Sequence, residues 1–106
     1  MSVVKVTDEN FSNQLAEQEN VIVKYFADWC GTCRLFAPKF NRLAEDDRFG
    51  NITFLDVNAE QNPVARKLAG VDNLPFFATF KNGVLVDATT SAKEETVVEM
   101  LEKLKQ

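Results

Sequence analysis

Apolar residues recur along the chain at two spacings, and the changes between them divide it into strands and helices. Val3 to Val6 reads as a short strand, after which Thr7-Asp8 offers a cap for a helix carrying Phe11 and Leu15 four apart on one face. Val21 to Ala27 is apolar on both faces apart from Lys24, the pattern of a strand covered on both sides. Residues 31 to 47 carry Leu35, Phe36, Phe40, Leu43 and Ala44 at helical spacing. Pro38 inside that run predicts a kink, since its ring removes one backbone hydrogen bond. Asn51 to Val57 forms a third strand, and Asn62-Pro63 opens a short helix that ends near Gly70. Phe76 to Lys81 and Val84 to Thr89 flank Asn82-Gly83, whose tolerance of positive φ predicts a tight antiparallel hairpin. Ser91-Ala92-Lys93-Glu94 matches a capping box ahead of a closing helix lined by Val97, Leu101 and Leu104. The predicted order is βαβαβαββα, without repeats, linkers or low-complexity segments.

Composition narrows the class. At 106 residues and 45% hydrophobic content, residues 1–106 are expected to form one domain with its own core. Twelve basic residues against sixteen acidic ones give a net charge of −4, with no basic run to follow a phosphate backbone, so nucleic acid is not an expected partner. The first residues lack the apolar stretch of a secretion signal, and nothing approaches the roughly 20 apolar residues of a membrane helix. A cytoplasmic, reducing setting is therefore expected, where closely spaced cysteines are more often catalytic or metal-binding than structural. The absence of histidine removes Ser-His and Cys-His catalysis, HExxH zinc sites and CxxCH haem attachment together.

The two cysteines of the chain, Cys30 and Cys33, stand in Trp29-Cys30-Gly31-Thr32-Cys33-Arg34, directly after the second strand. If Cys30 opens a helix, Cys33 lies one turn on along the same face, within reach of a disulfide. A thiolate in the first helical turn is stabilised by unpaired N–H groups and by the positive end of the helix dipole, which makes Cys30 the reactive sulfur. Cys33, one turn inward and more shielded, is suited to resolve a mixed disulfide formed at Cys30. Three other readings compete. A structural disulfide closing so short a loop removes little chain entropy. A zinc site needs about four ligands and would have to complete itself with carboxylates or a partner chain. Two idle buried thiols are the third.

The residues Ala27-Asp28-Trp29-Cys30-Gly31-Thr32-Cys33-Arg34, with Pro38 beyond them, Leu74-Pro75 later, and Phe80-Lys81-Asn82-Gly83 in the hairpin, together resemble the thioredoxin family over nearly the whole chain. The resemblance implies an α/β thioredoxin fold, a central mixed sheet of five strands flanked by four helices. It implies Cys30 as the attacking and Cys33 as the resolving cysteine, and Pro75 as a cis-proline facing the dithiol. The backbone of Leu74 would pair with an extended substrate segment. Trp29, Leu74 and Ala92 would form an apolar collar for the target, with Gly31 and Thr32 on the same substrate-facing loop.

Several positions depart from the family pattern. Thr32 stands where proline is common, which loosens the turn and leaves the reduction potential open. The family usually buries an aspartate on the strand before the dithiol and a lysine on the next central strand; here those positions hold Lys24 and Asp56, with the charges transposed. Each is a lone charge among apolar neighbours on its face, and pairing them is the natural solution. Asp56 is then expected to accept a proton near Cys33, and the Lys24 ammonium to favour thiolate; the rival is a Lys24 that snorkels to solvent and an exposed Asp56. Ser91, where glycine is frequent, and Phe76, directly after Pro75, are expected to narrow the range of targets. The expected activity is reduction of protein disulfides by a monomer, recharged by a thioredoxin-reductase-like electron donor, with no nucleotide, metal or other cofactor. Rival expectations are a more oxidising disulfide oxidase or isomerase, and a binding module indifferent to sulfur chemistry. A glutathione-dependent relative fits less well.

Overall fold

The computed structural model describes residues 2–106. Its elements follow the predicted order: β1 (Val4–Lys5), α1 (Asp8–Glu17), β2 (Asn20–Phe26), α2 (Gly31–Ala44), β3 (Thr53–Asn58), α3 (Pro63–Ala69), β4 (Phe76–Lys81), β5 (Val84–Thr90) and α4 (Glu94–Lys105). The strands form one five-stranded sheet in the order β1-β3-β2-β4-β5. β1, β3 and β2 run parallel, because α1 and α2 each carry the chain back across a face, while β4 and β5 are antiparallel additions.

The strand period of two sends alternate residues of β2 to opposite layers. Val21, Val23 and Tyr25 pack with Phe11 and Leu15 of α1 and Ala65 and Ala69 of α3. Ile22 faces the other way, with Phe36 and Phe40 of α2 and Val97 and Leu101 of α4. Both faces are thus filled, as the nearly unbroken apolar run predicted. Burial pushes the Tyr25 phenol well above its ordinary range, and its hydroxyl donates to the Ala65 carbonyl at 2.9 Å.

Local chemistry explains the ends. The Asn10 side chain accepts the Thr7 N–H at 2.8 Å and so starts α1. Asp8, in turn, caps α3 from a distance, its carboxylate accepting the N–H groups of Val64 at 3.1 Å and Ala65 at 2.9 Å. Gly70 closes α3 at φ 68°, and Asn82 and Gly83 hold φ 52° and 81° in the hairpin turn.

Several predicted boundaries move, most by a single residue. β1 covers only Val4–Lys5, although the Val6 N–H still donates to the Asp56 carbonyl at 3.0 Å. α2 passes through Pro38 and ends at Ala44 rather than residue 47. Asp46 then caps a 3₁₀ turn at Asp47–Phe49, accepting the Arg48 N–H at 2.9 Å, so β3 starts at Thr53 instead of Asn51. The capping box at Ser91 does not form. The Ser91 N–H remains tied to the Pro75 carbonyl at 3.3 Å, which keeps the chain extended, and α4 begins at Glu94 with Lys93 at its cap.

Candidate active site

β2 delivers the chain to α2 through a tight loop, and Cys30 occupies the cap position of that helix. Its N–H donates to the Ala27 carbonyl at 3.1 Å, and its Sγ accepts the N–H of Cys33 at 3.1 Å. The sulfur thus sits at the positive end of the α2 dipole with a backbone donor aimed at it. The Arg34 guanidinium donates to the Asp28 carbonyl at 2.6 Å and ties the loop to the first turn. Cys30 and Cys33 are joined in a disulfide, their Cα atoms 5.3 Å apart. As whole residues they are buried almost equally, 5% and 3% exposed, so the predicted difference in shielding is not one of depth. It lies in what each sulfur borders.

On the outer side Gly31 and Thr32 are exposed, as is Trp29 at 66%; Ala92 is exposed too, in a cleft it shares with Lys39 and Arg48. Trp29 is held by its ring N–H, which donates to Glu60 Oε2 at 2.7 Å. The Leu74–Pro75 bond is cis, and Leu74 packs against the cluster of Ala27, Cys30 and Cys33. The Pro75 carbonyl is occupied by the Thr90 hydroxyl at 2.9 Å as well as by Ser91. Phe76 does not reach this surface: it is buried edge-on to Tyr25, ring centroids 6.1 Å apart, so it cannot narrow the range of targets by contact. Strand alternation after Pro75 sends it into the α1/α3 layer.

The inner side is polar. Lys24 and Asp56 are direct neighbours across β2 and β3, and Nζ lies 3.4 Å from Asp56 Oδ1, with the side chains 5% and 13% exposed. Oδ1 is buried and makes no aligned hydrogen bond, so the contact is ionic in character. The ammonium also sits 5.4 Å from the centre of the Phe40 ring and 5.7 Å from that of Phe26. Lys24 therefore stays in the fold rather than snorkelling out. Burial raises the Asp56 carboxyl above its ordinary range, and the charges of Lys24 and then Lys5 pull it partway back. A cavity of about 310 Å³ joins this pair to Cys33 and opens between Asp28, Arg34 and Asn41. That is room for several waters.

Two contributors were missed from the sequence. Glu60 lies 31 positions beyond Trp29, and nothing local marks it as the indole's acceptor. Lys5 stands beside Asp56 on β1, a strand too short for its side-chain period to be read. Among the described residues no group of three or more Cys, Asp or Glu is arranged to hold a metal ion.

A disulfide at the mouth of a helix, backed by a charged cavity and fronted by an exposed indole and a cis-proline, defines a thiol–disulfide exchange protein. A profile described as Thioredoxin matches residues 2–103. Thioredoxin of Staphylococcus saprophyticus is 37% identical over 105 residues, covering 97% of this chain and 98% of that protein. The peptide-N(4)-(N-acetyl-beta-glucosaminyl)asparagine amidase of Caenorhabditis briggsae is 35% identical over 102 residues, of which this chain spans only 15% of the length. A chain from the crystal structure of a complex of ferredoxin:thioredoxin reductase and thioredoxin f2 superposes with a TM-score of 0.90 at 25% identity, covering 99% of this chain and 96% of that one. The chain belongs to the thioredoxin family. It reduces protein disulfides by exchanging them with its own Cys30–Cys33 pair.

Proposed function

We propose that Cys30 attacks and Cys33 resolves. The Cys30 thiolate forms a bond to one sulfur of a target disulfide, whose other sulfur leaves as a thiolate. Cys33 then loses its proton and attacks Cys30, releasing the second target sulfur and closing the internal disulfide. Two electrons pass from the dithiol to the target. The observation that carries this assignment is the helix-mouth position of Cys30, with a backbone N–H aimed at its sulfur.

In this reading the target lies across Trp29, Gly31, Thr32 and Ala92, with its extended backbone along Leu74 and Pro75. Asp56 takes the Cys33 proton across the shared cavity, and Lys24 favours the thiolate. The protein works as a single-domain monomer in the cytoplasm and is recharged by a thioredoxin-reductase-like donor, with no cofactor, nucleic acid or membrane involved. The reductase bound to thioredoxin f2 in the solved complex supports such a donor. No helix among the described residues is long and apolar enough to cross a membrane.

One observation favours a second reading, a more oxidising role: a buried cation lines the same cavity as Cys33, and a cation there stabilises the reduced form. Equilibration against glutathione, followed by an insulin-type reduction assay, separates the two. A reductase shows a low potential and precipitates insulin with reductase and NADPH supplied; a potential near that of a disulfide donor overturns the direction. For the roles of the sulfurs, Cys33→Ser should accumulate a target-linked mixed disulfide that Cys30→Ser cannot form, and the reverse outcome overturns them.

A further inference from the structure

Asp56 has a charged neighbour on each side. In the sheet register Lys5 of β1 and Lys24 of β2 both stand opposite Asp56 of β3, so three side chains project from one face of three adjacent strands as cation, anion, cation. Exposure rises outward along the row, from buried Lys24 through partly buried Asp56 to exposed Lys5.

Two cavities meet at this row. The first, about 310 Å³, contains Cys33 together with Lys24, Asp56 and Lys5. The second, about 250 Å³, also contains Asp56 and Lys5 but neither Cys33 nor Lys24, and it runs out past Asn58 and the exposed Gln61. Asp56 and Lys5 thus line both spaces, one that reaches the sulfur and opens on the Arg34 and Asn41 side, and one that opens on the opposite side, past Asn58 and Gln61.

We propose that Lys5 is a positioning residue for the resolving step, the solvent end of a Lys5–Asp56–Lys24 ladder through which the proton released by Cys33 passes to bulk water. The inference rests on the reading of Asp56 as proton acceptor given above. In that step the Cys33 S–H proton moves to the Asp56 carboxylate and the sulfur's electron pair forms the bond to Cys30. The Cys30–target bond breaks, the target sulfur leaves as a thiolate, and Asp56 hands its proton to water on the Lys5 side.

The charged groups around Asp56 are Lys5 from β1, Lys24 from β2, Asp28 from the loop that follows β2, and Arg34 from α2. Of the two cations in register with it, Lys24 is fixed between aromatic rings and Lys5 is the one in contact with solvent. Removing Lys5 leaves the carboxylate less compensated, so Asp56 holds its proton to higher pH and becomes available as acceptor later on the pH scale.

Rapid mixing of the reduced protein with the aromatic disulfide of Ellman's reagent tests this, because the two released thiolates report the two steps in turn: attack by Cys30, then resolution by Cys33. In Lys5→Met the acid limb of the second phase should shift to higher pH while the first phase keeps its profile. Lys5→Arg, which retains the charge, should restore the wild-type profile. In an Asp56→Asn background the Lys5→Met shift should vanish. A Lys5→Met profile that superimposes on wild type while Asp56→Asn alters the second phase overturns the ladder and leaves the acceptor standing. An Asp56→Asn profile identical to wild type overturns both, and a Lys5→Met shift that persists without Asp56 overturns the ladder by assigning the effect to general surface charge.

Discussion

The outer and inner sides of the Cys30–Cys33 disulfide are made of opposite materials. Outside stand exposed Gly31 and Thr32 and the exposed Trp29 indole, which donates one hydrogen bond to Glu60. Inside stand charges withdrawn from water, Lys24 and Asp56, sharing a cavity with Cys33. An apolar exposed surface gains free energy when a protein covers it, and it is tolerant of what covers it. A buried ion pair gains nothing from a partner but responds steeply to any change of protonation nearby. The proposed division of labour follows that difference, with targets recognised on the outer side and the proton handled on the inner one.

Perturbations rank by how deeply they cut into that division. Cys30→Ser should abolish target reduction altogether, measured by insulin turnover, since no sulfur remains at the helix mouth to start the exchange. Next comes Lys24→Ala, which leaves Asp56 buried without its partner and should cost about 3–5 kcal/mol in urea unfolding. The swap Lys24→Asp with Asp56→Lys should lose clearly less than either single change, and an equal loss would mean that packing rather than pairing sets the stability.

The pH dependence of Asp56 comes third. Its carboxyl is raised in the folded state, so the folded chain holds that proton more tightly than the unfolded chain does. The resulting contribution to stability is complete below the ordinary carboxyl value of 3.8 and is lost as pH rises through the folded-state value. Asp56→Asn should therefore gain on wild type in unfolding free energy as pH rises from that value, and a difference constant with pH would reject the shift. On the outer side, Trp29→Ala should raise KM for protein substrates by about 5- to 30-fold, the cost of one anchor of 1–2 kcal/mol, while exchange with a small disulfide is little changed. Smallest of all, Glu60→Gln keeps an acceptor for the indole and should change KM by less than about twofold, because the bond is exposed.

The inner and outer sides were not equally legible. Cys30, Cys33 and Trp29 lie within five residues of one another, and the nearly unbroken apolar run before them placed them at a strand-to-helix junction. Lys24 and Asp56 stood out because each interrupts an apolar strand face, a local anomaly visible without knowing its partner. Lys5 also interrupts an apolar run, Val3 to Val6, but a lysine on so short and exposed a strand carries no signal of a buried charge to be matched. Ser91 misled for a related reason: its spacing to Glu94 fits a cap, but the tie to the Pro75 carbonyl keeps it extended.

The sequence by itself determined the element order, the reactive pair and the presence of two charges that had to be reconciled, because periodicity and helix-end chemistry act over a few residues. Only the tertiary structure decided that β3 lies between β1 and β2, which sets Asp56 between two lysines and beside the cavity behind Cys33. Strand order is set by how whole layers of side chains pack, and no single stretch of chain contains that information.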